Sequence, residues 1–167
     1  SYYVCASVPE ELRQLGRRTV KAFNAFSRFV HLEFFCLTQP RKNLGEVGDY
    51  VGLEVNMRPA GGYTPDMMNF SHSTDVYQIW ADMITFNENH KVPGGKDYFC
   101  VYAGRKDSKT YVYSHEEVLA KYGPNIVMCE EMPPMNYATM GRQMYTAKFE
   151  TEEEAKAFIG YVQNYAV

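Results

Sequence analysis

A chain of 167 residues that is 46% hydrophobic and 15% aromatic can bury the core of one compact domain, and is short for two. Its formal charge of -3 offers no basic field for nucleic acid, and no apolar run approaches the length of a bilayer-spanning helix, so no membrane partner and a soluble, cytoplasmic protein are expected. Cys5, Cys36, Cys100 and Cys129 lie far apart with no Cys-x-x-Cys pair, which argues against a zinc knuckle or a disulfide scaffold and predicts reduced thiols.

The chain starts at Ser1 rather than Met and carries no signal-like segment, which suggests a piece of a longer protein. Ser7-Val8-Pro9-Glu10 has the spacing of a capping box with an early proline, and Leu12, Leu15, Thr19, Phe23 and Phe26 follow at helical intervals. Arg13, Arg17, Arg18 and Lys21 read as the solvated face of that helix rather than an anion site. Strands are predicted over residues 28–37 and 50–57. The polar segment between them, with Pro40, Gly45 and Gly48, makes the pair an antiparallel hairpin.

Within this hairpin Val30, Leu32 and Phe34 alternate with His31 and Glu33, and Leu53, Val55 and Met57 alternate with Glu54, Asn56 and Arg58. A strand has period two, so each apolar set shares the core face and the polar sets point together, aiming Glu33, Glu54 and Asn56 into one space. Two carboxylates and an amide carbonyl suit a hard cation such as Mg2+, which keeps waters and shares its remaining positions with phosphates. Arg58 falls on the same face, where a guanidinium holds a carboxylate or phosphate in a forked contact. Gly61 and Gly62 follow, with no side chain to stop the backbone approaching an anion. The competing reading of this alternation is an amphipathic hairpin whose polar face is merely solvated. His31 either orients a carboxylate or contacts substrate, or makes a structural hydrogen bond.

Beyond the glycines, Thr64-Pro65-Asp66 opens a short helix whose N-terminal amides favour an anion at the site, or else residues 63–70 are a packing loop. The next helix, opened by Ser73 or Thr74, places Val76, Ile79, Trp80, Met83 and Ile84 on one stripe, with Trp80 read as core rather than a nucleotide-stacking ring. Residues 87–95 are a turn-rich connection. Strands over residues 98–102 and 111–113 flank a charged turn. Ser114-His115-Glu116-Glu117 caps a helix stopped by Gly123-Pro124, and Thr151-Glu152-Glu153-Glu154 caps a last helix with Ala155, Phe158, Ile159 and Val162 inward. Two more strands lie between these helices, over residues 125–129 and 143–149. His72 is a weak candidate for the site, and His90 and His115 read as exposed or capping. The fold class expected is α+β, a mainly antiparallel sheet with helices on one face. Residues 1–96 would form the hairpin-bearing subdomain and 97–167 a small α+β extension.

Leu53-Glu54-Val55-Asn56-Met57-Arg58-Pro59-Ala60-Gly61-Gly62, preceded by His31-Leu32-Glu33-Phe34-Phe35, resembles the carboxyl-terminal part of ATP-grasp ligases, the superfamily of carbamoyl phosphate synthetase, biotin carboxylase and D-alanine ligase. The continuation through Tyr63 to Phe70 and Asp75 to Ala81 is similar to the carbamoyl phosphate synthase-like or carboxylate-amine ligase subgroup. The gap from Glu33 to Glu54 is longer than in biotin carboxylase. The resemblance implies that Glu33, Glu54 and Asn56 ligate Mg2+ (or Mn2+) bridging the phosphates of ATP, and that Arg58 stabilises the reacting intermediate, with His31, Gly61 and Gly62 near the substrate. It implies an acyl phosphate made from a small carboxylate and displaced by an amine or thiol.

Neither a glycine-rich phosphate loop nor strand-borne lysines precede Phe29, so the partner implied is an upstream ATP-binding part of the same protein, or another chain that supplies it, and the isolated chain is expected to be inactive. A divided cleft and many tyrosines also make a homo-oligomer an expected state. Two other readings stand beside this one: a non-catalytic ATP-grasp-like scaffold or ligand-binding domain, and a bicarbonate-using enzyme like carbamoyl phosphate synthetase.

Overall fold

A computed structural model describes residues 1–90 and 94–166. The chain is α+β, with antiparallel sheets and flanking helices, and it divides into two compact units. One unit comprises Ser1–Ser7, Asp66–Val76 and Val92–Val167; the other comprises Val8–Pro65 and Tyr77–Lys91.

The first, the sheet unit, is built on four strands: β1 (Tyr2–Val4), β4 (Phe99–Arg105), β5 (Ile126–Glu131) and β6 (Gln143–Phe149), in the order β1-β4-β6-β5 and antiparallel throughout. The two central strands, β4 and β6, are almost wholly buried, as expected of strands with neighbours on both edges and packing on both faces. Val101, Ala103, Tyr145, Ala147 and Phe149 share one face, set by the pairing of Val101 with Ala147 and Ala103 with Tyr145. Onto that face pack Val118 of α4 (His115–Tyr122) and Ala155, Phe158 and Val162 of α6 (Glu152–Val162). Both helices start in the capping boxes that the spacing predicts: Ser114 exchanges hydrogen bonds with Glu117, and Thr151 with Glu154.

Two parts of this unit differ from expectation. β1 is three residues long, too short for a periodic signal, and is held by register with β4 and by Tyr2 stacked on Tyr102 at 5.2 Å. Residues 111–113 are not a strand; only Tyr111 makes a bridge, to Tyr165. The Tyr111 hydroxyl accepts from the Lys106 amide at 2.8 Å, so the chain after β4 folds back on the strand end instead of forming a new hairpin.

The hairpin unit holds α1 (Glu10–Ala22), β2 (His31–Cys36) and β3 (Tyr50–Asn56), with most of α3 (Val76–Phe86). Pro9, not Ser7, stands at the start of α1 and makes no side-chain cap, because Ser7 lies two residues too early. Gly16 of α1 meets Leu32 of β2 at 3.7 Å, measured from where a Cβ would stand, and Phe29 stacks on Trp80 of α3 at 5.6 Å, so both helices reach the hairpin as expected. Between the units in sequence runs α2 (Thr64–His72), which decides helix over packing loop. α3 begins at Val76, whose amide donates to Asn69 Oδ1 at 2.7 Å, two residues later than a Ser73 cap requires and one later than a Thr74 cap.

Candidate functional site

The hairpin register gathers the polar residues. Glu33 lies directly opposite Glu54 and His31 directly opposite Asn56, and directly opposed residues of an antiparallel pair project from the same face. His31 Nε2 stands 3.5 Å from Glu33 Oε1. Glu54 has no ion pair among the described residues. Like charges facing each other across a ladder are destabilising, so this pair works against the hairpin unless a cation joins it.

The apolar side departs from simple alternation. Glu33 pairs with Glu54 but Phe34 pairs with Gly52, so Leu53 is the extra residue of a β-bulge. Leu53 is therefore 55% exposed rather than on the core face, and Met57, past the strand end, is also exposed. The bulge sits immediately beside the two carboxylates, where the added twist re-aims side chains.

Two atoms of this face are buried and make no hydrogen bond: His31 Nδ1 and Asn56 Nδ2, on residues opposite one another. Buried polar atoms are nearly always partnered, so these two are exceptions on the hairpin face. Among the described residues no three His, Cys, Asp or Glu side chains gather as a metal-holding group, so His31, Glu33 and Glu54 do not form one by themselves. The Asn56 amide can present its oxygen by turning over, since O and N are placed by the hydrogen bonds around them. Two carboxylates and an amide oxygen fit the hard-donor preference of Mg2+.

Arg58 is exposed and donates from Nη1 to the Pro59 carbonyl at 2.9 Å, not to either carboxylate. Gly62 has φ 62°, a left-handed conformation that favours glycine, whereas Gly61 faces open space.

Other residues behave unlike their sequence reading. Trp80 is 40% exposed in its stack with Phe29, and Ile84 at 67% is far from core. In their place Asp82 is buried, accepting from Gln78 Nε2 at 2.7 Å and from the His90 amide at 3.0 Å. The Gln78 hydrogen bond holds its carboxyl below the usual carboxylate range, against the opposing effect of burial. The Gln-x-x-x-Asp spacing on one helix face is the signal that finds it. His72 contacts Asp97 at 3.1 Å, and His115 is paired with buried Tyr145 at 2.8 Å rather than exposed or capping. All four cysteines are free; burial pushes the Cys100 thiol up to about 12, which leaves it inert.

No protein-family model matches the sequence, and no curated protein matches it. Among solved structures the chain is similar to phosphoribosylglycinamide synthetase from Anaerococcus prevotii, with a TM-score of 0.61 at 12% identity. At this identity the likeness is one of fold. It covers 99% of this chain and 44% of that one, so the chain spans less than half the neighbour's length.

Proposed function

We propose that this chain is the carboxyl-terminal part of an ATP-dependent carboxylate-amine (or thiol) ligase, with residues 1–96 carrying the metal-binding hairpin and 97–167 a small extension. The observation that carries the reading is the facing pair Glu33 and Glu54, beside Asn56 with its orphaned amide, in an ATP-grasp-like fold. Glu33, Glu54 and Asn56 hold Mg2+ or Mn2+. That ion, when bound, offsets charge on the transferring phosphoryl group of ATP.

Arg58 gives up the Pro59 carbonyl to fork onto the substrate carboxylate, which the backbone at Gly61 and Gly62 approaches closely. His31, 3.5 Å from Glu33, fixes the orientation of that carboxylate ligand. The substrate carboxylate attacks the terminal phosphorus, releasing ADP and leaving an acyl phosphate. An amine or thiol then displaces phosphate. No side chain becomes covalently attached, so catalysis rests on positioning and electrostatics. The nucleotide-binding part lies upstream in the same cytoplasmic protein, and the 167-residue chain alone turns nothing over.

The test is ADP release by the parent polypeptide with Mg2+ and a panel of small carboxylates and amines. A carboxylate that stimulates release, with Glu54→Ala abolishing it in a folded protein, supports the ligase. No stimulation, or an unchanged Glu54→Ala rate, replaces it with the non-catalytic scaffold.

A further inference from the structure

At the end of β4 in the sheet unit sits a buried cation with no anion. Arg105 is 8% exposed, and its Nε donates to the Val162 carbonyl at 2.8 Å. Its Nη2 is buried with no hydrogen-bond partner. The guanidinium lies over the Tyr111 ring at 4.7 Å and near the Tyr145 ring at 5.7 Å, contacts that hold its plane but supply no acceptor in the plane. No carboxylate pairs with it among the described residues. The two nearby acids are taken by a different arginine: Arg142 binds Glu131 at 2.8 Å and Asp107 at 3.6 Å. A guanidinium cannot escape burial by losing its proton, so an unpaired one is costly unless a counter-anion arrives.

Arg105 lines a cleft of about 440 Å³, together with Lys106, Lys109 and His115, and with Arg142 and its two acids Asp107 and Glu131. That volume falls within the range of small-molecule sites. The arginine is also held firmly from behind. Gly141, at φ 92°, lets the preceding turn close on the Arg105 backbone, where a Cβ would meet the Arg105 carbonyl oxygen at 2.6 Å, and the Arg142 amide donates to that oxygen at 2.7 Å. Tyr145 stays a neutral hydroxyl, because burial pushes it up to about 12, and its bond to His115 Nδ1 fixes that ring at the cleft.

We propose that this cleft is a binding site for a small oxyanion, a carboxylate or phosphate group taken by the Arg105 guanidinium, with Lys106 and Lys109 also in the lining. The site shares no residue with the hairpin face and does not depend on the ligase reading.

The probes are inorganic phosphate and acetate, each titrated into the full chain and followed by amide NMR against sodium chloride at matched ionic strength. The expected result is saturable shifts at the amides of Arg105, Lys106, Tyr111, His115 and Arg142. The arm that saturates at lower concentration names the oxyanion. Arg105→Met, which fills the same space without charge, should weaken that binding at least tenfold. Equal binding by Arg105→Met overturns the proposal. Should that variant not fold, the wild-type comparison decides alone: shifts that follow ionic strength equally in chloride overturn it, and saturation in the oxyanion arm only supports it.

Discussion

Glu33 facing Glu54 is an arrangement from which an isolated hairpin gains nothing. Removing one charge while keeping its shape should therefore help the metal-free protein: Glu54→Gln is expected to raise the melting temperature in chelator by about 1–2 °C and to abolish any further rise on adding Mg2+. A lower melting temperature in chelator would mean the pair is already neutralised within the chain. Glu131 makes a second residue-scale test. The Tyr137 hydroxyl first, and Arg142 next, hold its carboxyl below the ordinary value of 4.5. A depressed folded value means the contribution is complete above 4.5 and is lost as pH falls through the lower folded value. Carboxyl NMR titration should show a midpoint below 4.5, with Tyr137→Phe and Arg142→Ala each raising it.

The gathering of His31, Glu33, Glu54 and Asn56 on one face is legible in sequence, because period-two alternation survives on the polar side of the hairpin. Leu53 is not, since a bulge adds one residue without a distinctive side chain. Nor is the tie of Arg58 to its neighbour's carbonyl, nor the isolation of Arg105, which depends on where Arg142 carries the nearby acids.

At the scale of elements, local chemistry wins where a side chain can reach a free helix amide. Thr151→Ala should cost about 1 kcal/mol in chemical denaturation, because it removes half of a formed capping box. Ser7→Ala should leave stability unchanged, because that serine, despite the same Ser-x-x-Glu spacing, stands outside the Pro9 start of α1. Equal losses at both positions would mean that the spacing, not the geometry, decides. The two formed boxes were readable because each serine or threonine directly precedes its helix. Of the apolar stripe assigned to α3, Val76 is buried and Ile79 and Met83 are half-buried, whereas Trp80 and Ile84 are exposed, because buried Asp82 takes part of the inward side.

Taken whole, the two units differ in how they are held. The sheet unit has a core of fully buried side chains from Val101 to Val162. In the hairpin unit no described apolar side chain is fully buried, and Phe23, Phe26, Ile84 and Phe86 are each more than half exposed. Hydrogen exchange should find the amides of β4 and β6 protected to the global unfolding free energy, and those of β2 and β3 opening at a lower one. Uniform protection across both would contradict this division. The exposed apolar surface of the hairpin unit is of the kind that commonly marks an interface.

The proposed divalent-cation site of the facing carboxylates and Asn56 is tested by paramagnetic line broadening by Mn2+ on the amide NMR spectrum of the chain. Broadening is expected to centre on His31, Glu33, Glu54 and Asn56, to be competed away by Mg2+ and to be lost in Glu54→Ala. Broadening centred elsewhere, or unchanged in Glu54→Ala, would contradict it.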